Sequence, residues 1–174
     1  VETILKASQL EKQEVDLNLK PVHVHEIIKD VVGNFALQLE SKNGKVDLLL
    51  NATNDLVEAD EVHFSNLVNN LVDNAVKYAR DNNPPQIRIS TQSGSKYFNL
   101  RIEDNGIGMN RDTLKRIFER FYRAHTGNMH NVKGFGLGLS YVKTMVEAHH
   151  GEIKAESTLG KGSVFTIDIP LKRG

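Results

Sequence analysis

One helical stretch carries side chains whose types and spacing could do chemistry together. Glu61 to Ala79 reads EVHFSNLVNNLVDNAVKYA, apolar at helical spacing yet interrupted repeatedly by asparagine. Each asparagine disfavours a helix by up to about 0.7 kcal/mol relative to alanine. At 100° per residue, His63, Asn66, Asn70, Asn74 and Lys77 fall within one arc of about 80°. Phe64, Leu67, Val68, Leu71, Val72, Ala75 and Ala79 fill the adjoining arc. The predicted helix therefore has a core face and a carboxamide stripe that ends in a lysine. A merely solvated face would more commonly pair Glu with Lys. Carboxamide oxygens are neutral, hard ligands suited to Mg²⁺, and a neighbouring lysine can meet the phosphates that Mg²⁺ carries.

Two glycine clusters add complementary chemistry. DNGIGM, Asp104 to Met109, follows an alternating strand pattern. Gly106 and Gly108 let the backbone approach a flat ligand. Asp104 at the strand end can accept a hydrogen bond from an exocyclic amine such as that of adenine. Taken alone, the same residues are an ordinary turn. GFGLGL, Gly134 to Leu139, directly precedes a predicted helix, where free N–H groups and the helix dipole favour an anion. It has neither the P-loop pattern nor the dinucleotide-binding glycine spacing. A metal ligand, an adenine acceptor and a phosphate cradle in one small chain make a coherent set where each part is weak evidence singly.

The elements that must position these groups follow from periodicity. Val15 to Val24 alternates as a strand or extended segment, and a helix is predicted from about His25 to Lys42 with Ile27, Ile28, Val31, Val32, Phe35 and Leu39 inward. Val46 to Asn51 reads as a strand, and Asp60 as the N-cap of the asparagine-rich helix. QIRISTQS and KYFNLRIED form a hairpin, and Arg111 to Phe121 a short helix. The last helix runs to about His149, with His149 and His150 expected on the surface; His63 is expected to be solvated. EIKAEST and SVFTIDIP close the chain as a second hairpin about GKG. Helices mixed with mostly antiparallel strands, without regular βαβ alternation, predict an α+β two-layer sandwich with helices on one face of a mixed sheet.

Bulk properties narrow the partners. The 174 residues suffice for one domain with a real core, carry 22 basic and 22 acidic side chains, and include no cysteine. Balanced charge gives no general case for direct binding to nucleic acid or an anionic membrane. No disulfide framework holds the fold, which fits a cytosolic setting, and no apolar run is long enough to span a bilayer.

The motifs together resemble the catalytic ATP-binding domain of sensor histidine kinases, within the ATPase superfamily shared with gyrase, MutL and a heat-shock chaperone. NLVNNLVDNAVKYA is similar to the family's asparagine box, DNGIGM to its first glycine box and IFERFYRA to its phenylalanine box. GFGLGLSYVK resembles the second glycine box and GKGSVFTIDIP the closing strand motif. The resemblance implies a Bergerat-type fold, with ATP and Mg²⁺ as cofactors. By this resemblance Asn74 is the Mg²⁺ ligand, Asn70 lines the phosphate site, Lys77 reaches a phosphate and Tyr78 lies beside the nucleotide. Asp104 accepts the adenine amino group, with Gly106 and Gly108 allowing the approach. Gly134, Gly136, Leu137 and Gly138 match the phosphate side of the lid's end. Arg120 and Arg123 match lid arginines, with Arg123 the stronger catalytic candidate beside Asn70 and Lys77.

The hydrolytic relatives carry a glutamate in place of Asn70, so the resemblance favours transfer over hydrolysis. The implied acceptor is a histidine on a separate dimerisation and phosphotransfer domain, followed by a response-regulator aspartate. None of His23, His25, His63, His125, His130, His149 and His150 stands in the family's acceptor context. Residues 1–14 are accordingly expected to be the remnant of a dimerisation helix and linker, and 15–174 the ATP-binding domain. The fragment is expected to be monomeric, and the full-length protein a homodimeric sensor at the inner membrane with this domain in the cytoplasm. The alternative is a nucleotide-binding regulatory module of a sensor that acts mainly as a response-regulator phosphatase.

Overall fold

The computed structural model describes residues 16–119 and 138–171. The element order is β1 (Leu19–His23), α1 (Val24–Gly33), α2 (Ala36–Ser41), β2 (Lys45–Leu50), β3 (Leu56–Asp60) and α3 (Glu61–Lys77). There follow β4 (Gln86–Ser93), β5 (Tyr97–Asp104), α4 (Arg111–Arg116), α5 (Gly138–Ala148), β6 (Glu152–Thr158) and β7 (Gly162–Pro170). Five strands form one mixed sheet in the order β2-β4-β5-β7-β6. β2 pairs with β4 in parallel, and the other pairings are antiparallel.

Alternation decides which face of this sheet is covered. Ile87, Ile89 and Thr91 of β4 point inward, as do Phe98, Leu100 and Ile102 of β5 and Phe165, Ile167 and Ile169 of β7. The register sets Ile89 opposite Ile102 and Ile102 opposite Phe165, so the apolar side chains form continuous rows across the strands. Arg88, Arg101 and Lys154 lie exposed at alternate positions. The helical layer closes the apolar face. α3 buries Phe64, Leu67, Val68, Leu71, Val72, Ala75 and Val76, while α1 contributes Ile27, Ile28 and Val31 and α5 contributes Val142, Met145 and Val146. The expected α+β sandwich is the observed one.

Several local expectations change. The helix predicted over His25 to Lys42 is two helices, because the chain breaks after Gly33: Asn34 caps α1, and Phe35 leaves the helical conformation before α2 begins. Phe35 and Leu39 are buried as expected, whereas Val32 is only partly so. The short helix after the first glycine loop ends at Arg116. Leu56–Asp60 forms a strand that local pattern did not reveal. It pairs antiparallel with β1 as a separate two-stranded sheet, linked to β7 by a bridge between Val57 and Leu171. Asp60 is the expected N-cap, its Oδ1 accepting from the His63 N–H at 3.1 Å. α1 has no side-chain cap at His23. Asp55, from the loop before β3, supplies acceptors instead: its carbonyl to Val24 N–H at 3.0 Å and its Oδ2 to His25 N–H at 3.0 Å.

His149 is a clear correction. It is 4% exposed, at the end of α5. Its Nδ1 lies 2.7 Å from the Met145 carbonyl, and its Nε2 accepts from the Asp60 N–H at 3.0 Å. Those partners require the neutral ring with its hydrogen on Nδ1, and burial holds its pKa below the ordinary 6.5. The ring meets Phe64 edge-on at 5.8 Å. A histidine that looked like surface punctuation thus ties the end of α5 to the start of α3. His150 is exposed, as expected, with a positive φ of 64°.

Candidate nucleotide site

A cleft opens between the last turns of α3, the loop after β5, α4 and the start of α5. Asn74 and Tyr78 from α3 line it, with Asp104, Ile107 and Gly108 from the glycine loop. Thr113 and Ile117 close it from the α4 side, and Leu139 and Ser163 from α5 and β7. The carboxamide of the helical stripe and the carboxylate at the strand end, separated widely in sequence, share one wall-and-floor arrangement.

Backbone bonds fix the glycine loop against the end of α3. Tyr78 N–H donates to the Asn74 carbonyl at 3.1 Å, and Ile107 N–H donates to the Tyr78 carbonyl at 2.9 Å. Asn105 adds a second tie, its Oδ1 accepting from Gln86 N–H at 2.9 Å and its Nδ2 donating to the Pro84 carbonyl at 3.2 Å. Gly106 packs so tightly that a Cβ there would collide with the Tyr78 carbonyl oxygen. Gly108 has φ 69°, and its absent Cβ would collide with the Thr158 carbonyl. Both glycines are demanded by close approach, and Gly108 by conformation as well.

Asp104 is half-buried at the cleft. Its Oδ1 accepts from Gly106 N–H at 2.9 Å and from Ser163 N–H at 3.3 Å. Among the described residues no partner is recorded for Oδ2, which leaves an acceptor for a ligand donor. Burial pushes the carboxyl above its ordinary 3.8, against the pull of the two amide bonds. Ser163 was not singled out from sequence, although it stands in the GKGSVFTIDIP motif. Its Oγ lies 2.8 Å from Ser157 Oγ, which in turn accepts from Met109 N–H at 2.7 Å. These serines lock β6 and β7 to the far side of the glycine loop.

The remaining stripe residues are not among those that line the cleft. Asn70 is half-buried on α3, its Nδ2 donating to the Asn66 carbonyl at 2.9 Å. Gly138, the first residue of α5, abuts it: a Cβ there would lie 3.6 Å from Asn70 Oδ1. Lys77 is exposed and pairs with Asp73 across one turn at 2.8 Å. His63 is not simply solvated, because its Nδ1 lies 2.8 Å from the Tyr141 hydroxyl. Arg120, Arg123, Gly134, Gly136 and Leu137 lie outside the described residues, as do Phe121, Tyr122, His125 and His130 and the expected remnant helix of residues 1–14.

The profile of the histidine kinase-, DNA gyrase B- and HSP90-like ATPases matches residues 59–173. The chain belongs to this ATPase family. Within the family its likenesses are to sensor kinases. Sensor protein RprX of Bacteroides fragilis is 44% identical over 171 residues, covering 98% of this chain and 33% of its own length. Sensor histidine kinase WalK of Bacillus subtilis is 28% identical over 174 residues, covering 99% of this chain and 28% of its own length. The chain thus spans about a third of the length of these relatives. The nucleotide-free catalytic domain of histidine kinase ThkA superposes with a TM-score of 0.72 at 25% identity, covering 88% of this chain and 98% of that one. The ATPase fold here is therefore an ATP-binding catalytic domain of the histidine kinase type. No helix among the described residues is long and apolar enough to cross a membrane.

Proposed function

We propose that this domain binds Mg-ATP in the cleft and delivers the γ-phosphate to a histidine on a separate dimerisation domain. The observation that carries this reading is the meeting of Asn74 and Asp104 in one cleft, with Asp104 Oδ1 committed to backbone and Oδ2 available. An acceptor oxygen at the deep end fits the amino group of adenine. Guanine presents a carbonyl at that place and would meet the carboxylate with like polarity.

The donor set also fits Mg²⁺. Among the described residues no group of three or more His, Cys, Asp or Glu could hold a metal unaided. Mg²⁺ commonly arrives with substrate phosphates and needs few protein ligands. Asn74 would supply a neutral oxygen to it, and Asn70 and Lys77 would line the phosphates, with Lys77 exchanging Asp73 for a phosphate oxygen. Bound there, the metal would neutralise phosphate charge during transfer. Arg123 would add positive charge at the γ-phosphate, with Arg120 beside it. Gly134, Gly136, Leu137 and Gly138 would bring backbone N–H groups to the phosphates.

Asn70 separates transfer from hydrolysis. A carboxamide cannot take a proton from water at neutral pH. Its Nδ2–H bond to the Asn66 carbonyl is one that a carboxylate could not make. The acceptor is an imidazole nitrogen, whose lone pair attacks Pγ as the bridging P–O bond breaks. The electron pair leaves on ADP, and the imidazole N–H proton goes to solvent. The phosphoryl group then passes to an aspartate of a response regulator. ATP and that regulator place the domain on the cytoplasmic side, with any membrane attachment through other parts of a homodimeric sensor. By itself the domain works as a monomer.

Calorimetric titration of the 174-residue chain with a non-hydrolysable ATP analogue, with and without Mg²⁺, tests the site. Magnesium-dependent binding that prefers adenine to guanine supports it, and a folded sample that binds neither nucleotide overturns it. Addition of the acceptor domain then tests the reaction. Acid-labile phosphate on histidine is expected, whereas steady phosphate release without a phosphoprotein would identify a hydrolase.

A further inference from the structure

The two helices at the phosphate end of the cleft also meet through a polar contact outside the apolar core. Tyr141 of α5 stands one turn after Gly138, and its hydroxyl lies 2.8 Å from His63 Nδ1 on α3. The two rings stand 6.1 Å apart at 45°. One turn further along α3, the Asn66 carbonyl accepts from Asn70 Nδ2 at 2.9 Å. That bond commits the amide nitrogen of Asn70 to its own helix. The Oδ1 is the atom that Gly138 abuts.

These residues form one seam. His63, Asn66 and Asn70 follow at helical spacing on α3, and Gly138 and Tyr141 do so on α5. Gly138 faces Asn70, and Tyr141 meets His63. One end of the seam is therefore the phosphate side of the candidate site, and the other is the hydroxyl. A half-buried hydroxyl held on a ring nitrogen resists displacement, because moving it leaves polar groups unpaired.

We infer that Tyr141 is a positioning residue for polyphosphate: its hydroxyl, held by His63, helps seat the start of α5 on α3 and so sets the spacing of Gly138 from Asn70. The consequence is selective. Asp104 ends β5 and Tyr78 caps the far end of α3, both at the adenine end of the cleft. Losing the hydroxyl should weaken the hold on the phosphates and leave the hold on the base. The inference rests on the reading of the cleft as an Mg-ATP site.

The test is titration of the wild type, Tyr141→Phe and His63→Ala with the β,γ-imido analogue of ATP and with adenosine, in Mg²⁺. Tyr141→Phe retains the packed ring, and His63 is only half-buried, so both variants should fold; thermal melts check this. Affinity for the triphosphate is expected to fall about tenfold in Tyr141→Phe and about threefold in His63→Ala, with adenosine changed less than about twofold. Equal loss for both ligands would mean a purely structural role and overturn the inference, as would unchanged triphosphate affinity in both variants. A wild type that binds adenosine but gains nothing from the triphosphate would overturn the Mg-ATP reading itself, which is a different result.

Discussion

Asp104 shows how one side chain can be tuned by two amides and by burial. The Gly106 and Ser163 amides claim Oδ1, and burial raises the carboxyl above 3.8. With the folded pKa raised, the native state holds its proton longer than the unfolded chain. Stability from this group is therefore lost as pH rises through that window, and at pH 7 ionisation is a net cost. Asp104→Asn keeps the Oδ1 acceptor and removes the charge, but places an N–H donor opposite the nucleotide's amine. The expected result is an unchanged or higher melting temperature at neutral pH with at least about tenfold weaker adenine nucleotide binding. Calorimetry and thermal melts on one sample check both halves. Asn74→Ala is expected to leave the circular dichroism spectrum intact and abolish the increment that Mg²⁺ adds to affinity. A variant that retains that increment would remove Asn74 from the metal's ligands.

At the scale of elements, α3 links the core to the cleft, and its two ends are secured differently. The C-terminal end is tied to the glycine loop by the Tyr78 carbonyl. The N-terminal end is tied to α5 by His149, whose neutral ring bridges Met145 and the Asp60 N–H. Burial depresses the His149 pKa below 6.5. The unfolded chain then binds the extra proton first, so this contribution is complete above about pH 6.5 and is lost as pH falls toward the folded value. His149→Ala is expected to destabilise by about 2–4 kcal/mol, from the cavity and the unpaired Asp60 N–H. It should also flatten the decline in stability between about pH 7 and pH 5. Denaturant unfolding across that range measures both, and an equally steep decline in the variant would reassign the pH dependence to other groups.

At the scale of the whole molecule, one face of a five-stranded sheet serves as the base on which three helices are held. The cleft forms where α3 ends and α5 begins, against β5 and β7. On the proposed reading, a domain built this way holds a nucleotide and receives its phosphate acceptor from a separate domain. Incubated alone with Mg-ATP, the chain is expected to bind without becoming phosphorylated, and phosphohistidine is expected only when an acceptor domain is present. Acid-stable phosphate on the isolated chain, detected by mass, would contradict this. The sequence alone determined the α+β class, the stripe on α3, the Asp60 cap and both hairpins. Those features depend on neighbours three or four residues apart along a helix, or two apart along a strand. It also marked Asn74 and Asp104, which the fold brings to one cleft, and Gly106 and Gly108, where close approach leaves no room for a side chain. The tertiary structure decided what local pattern does not carry. β3 pairs with a strand well before it, His149 meets Asp60 across 89 residues, and Tyr141 reaches His63 across 78. Ser163 reaches Asp104 across 59. A histidine at a helix end looks the same whether it faces water or a partner strand, and only packing brings the partner to it.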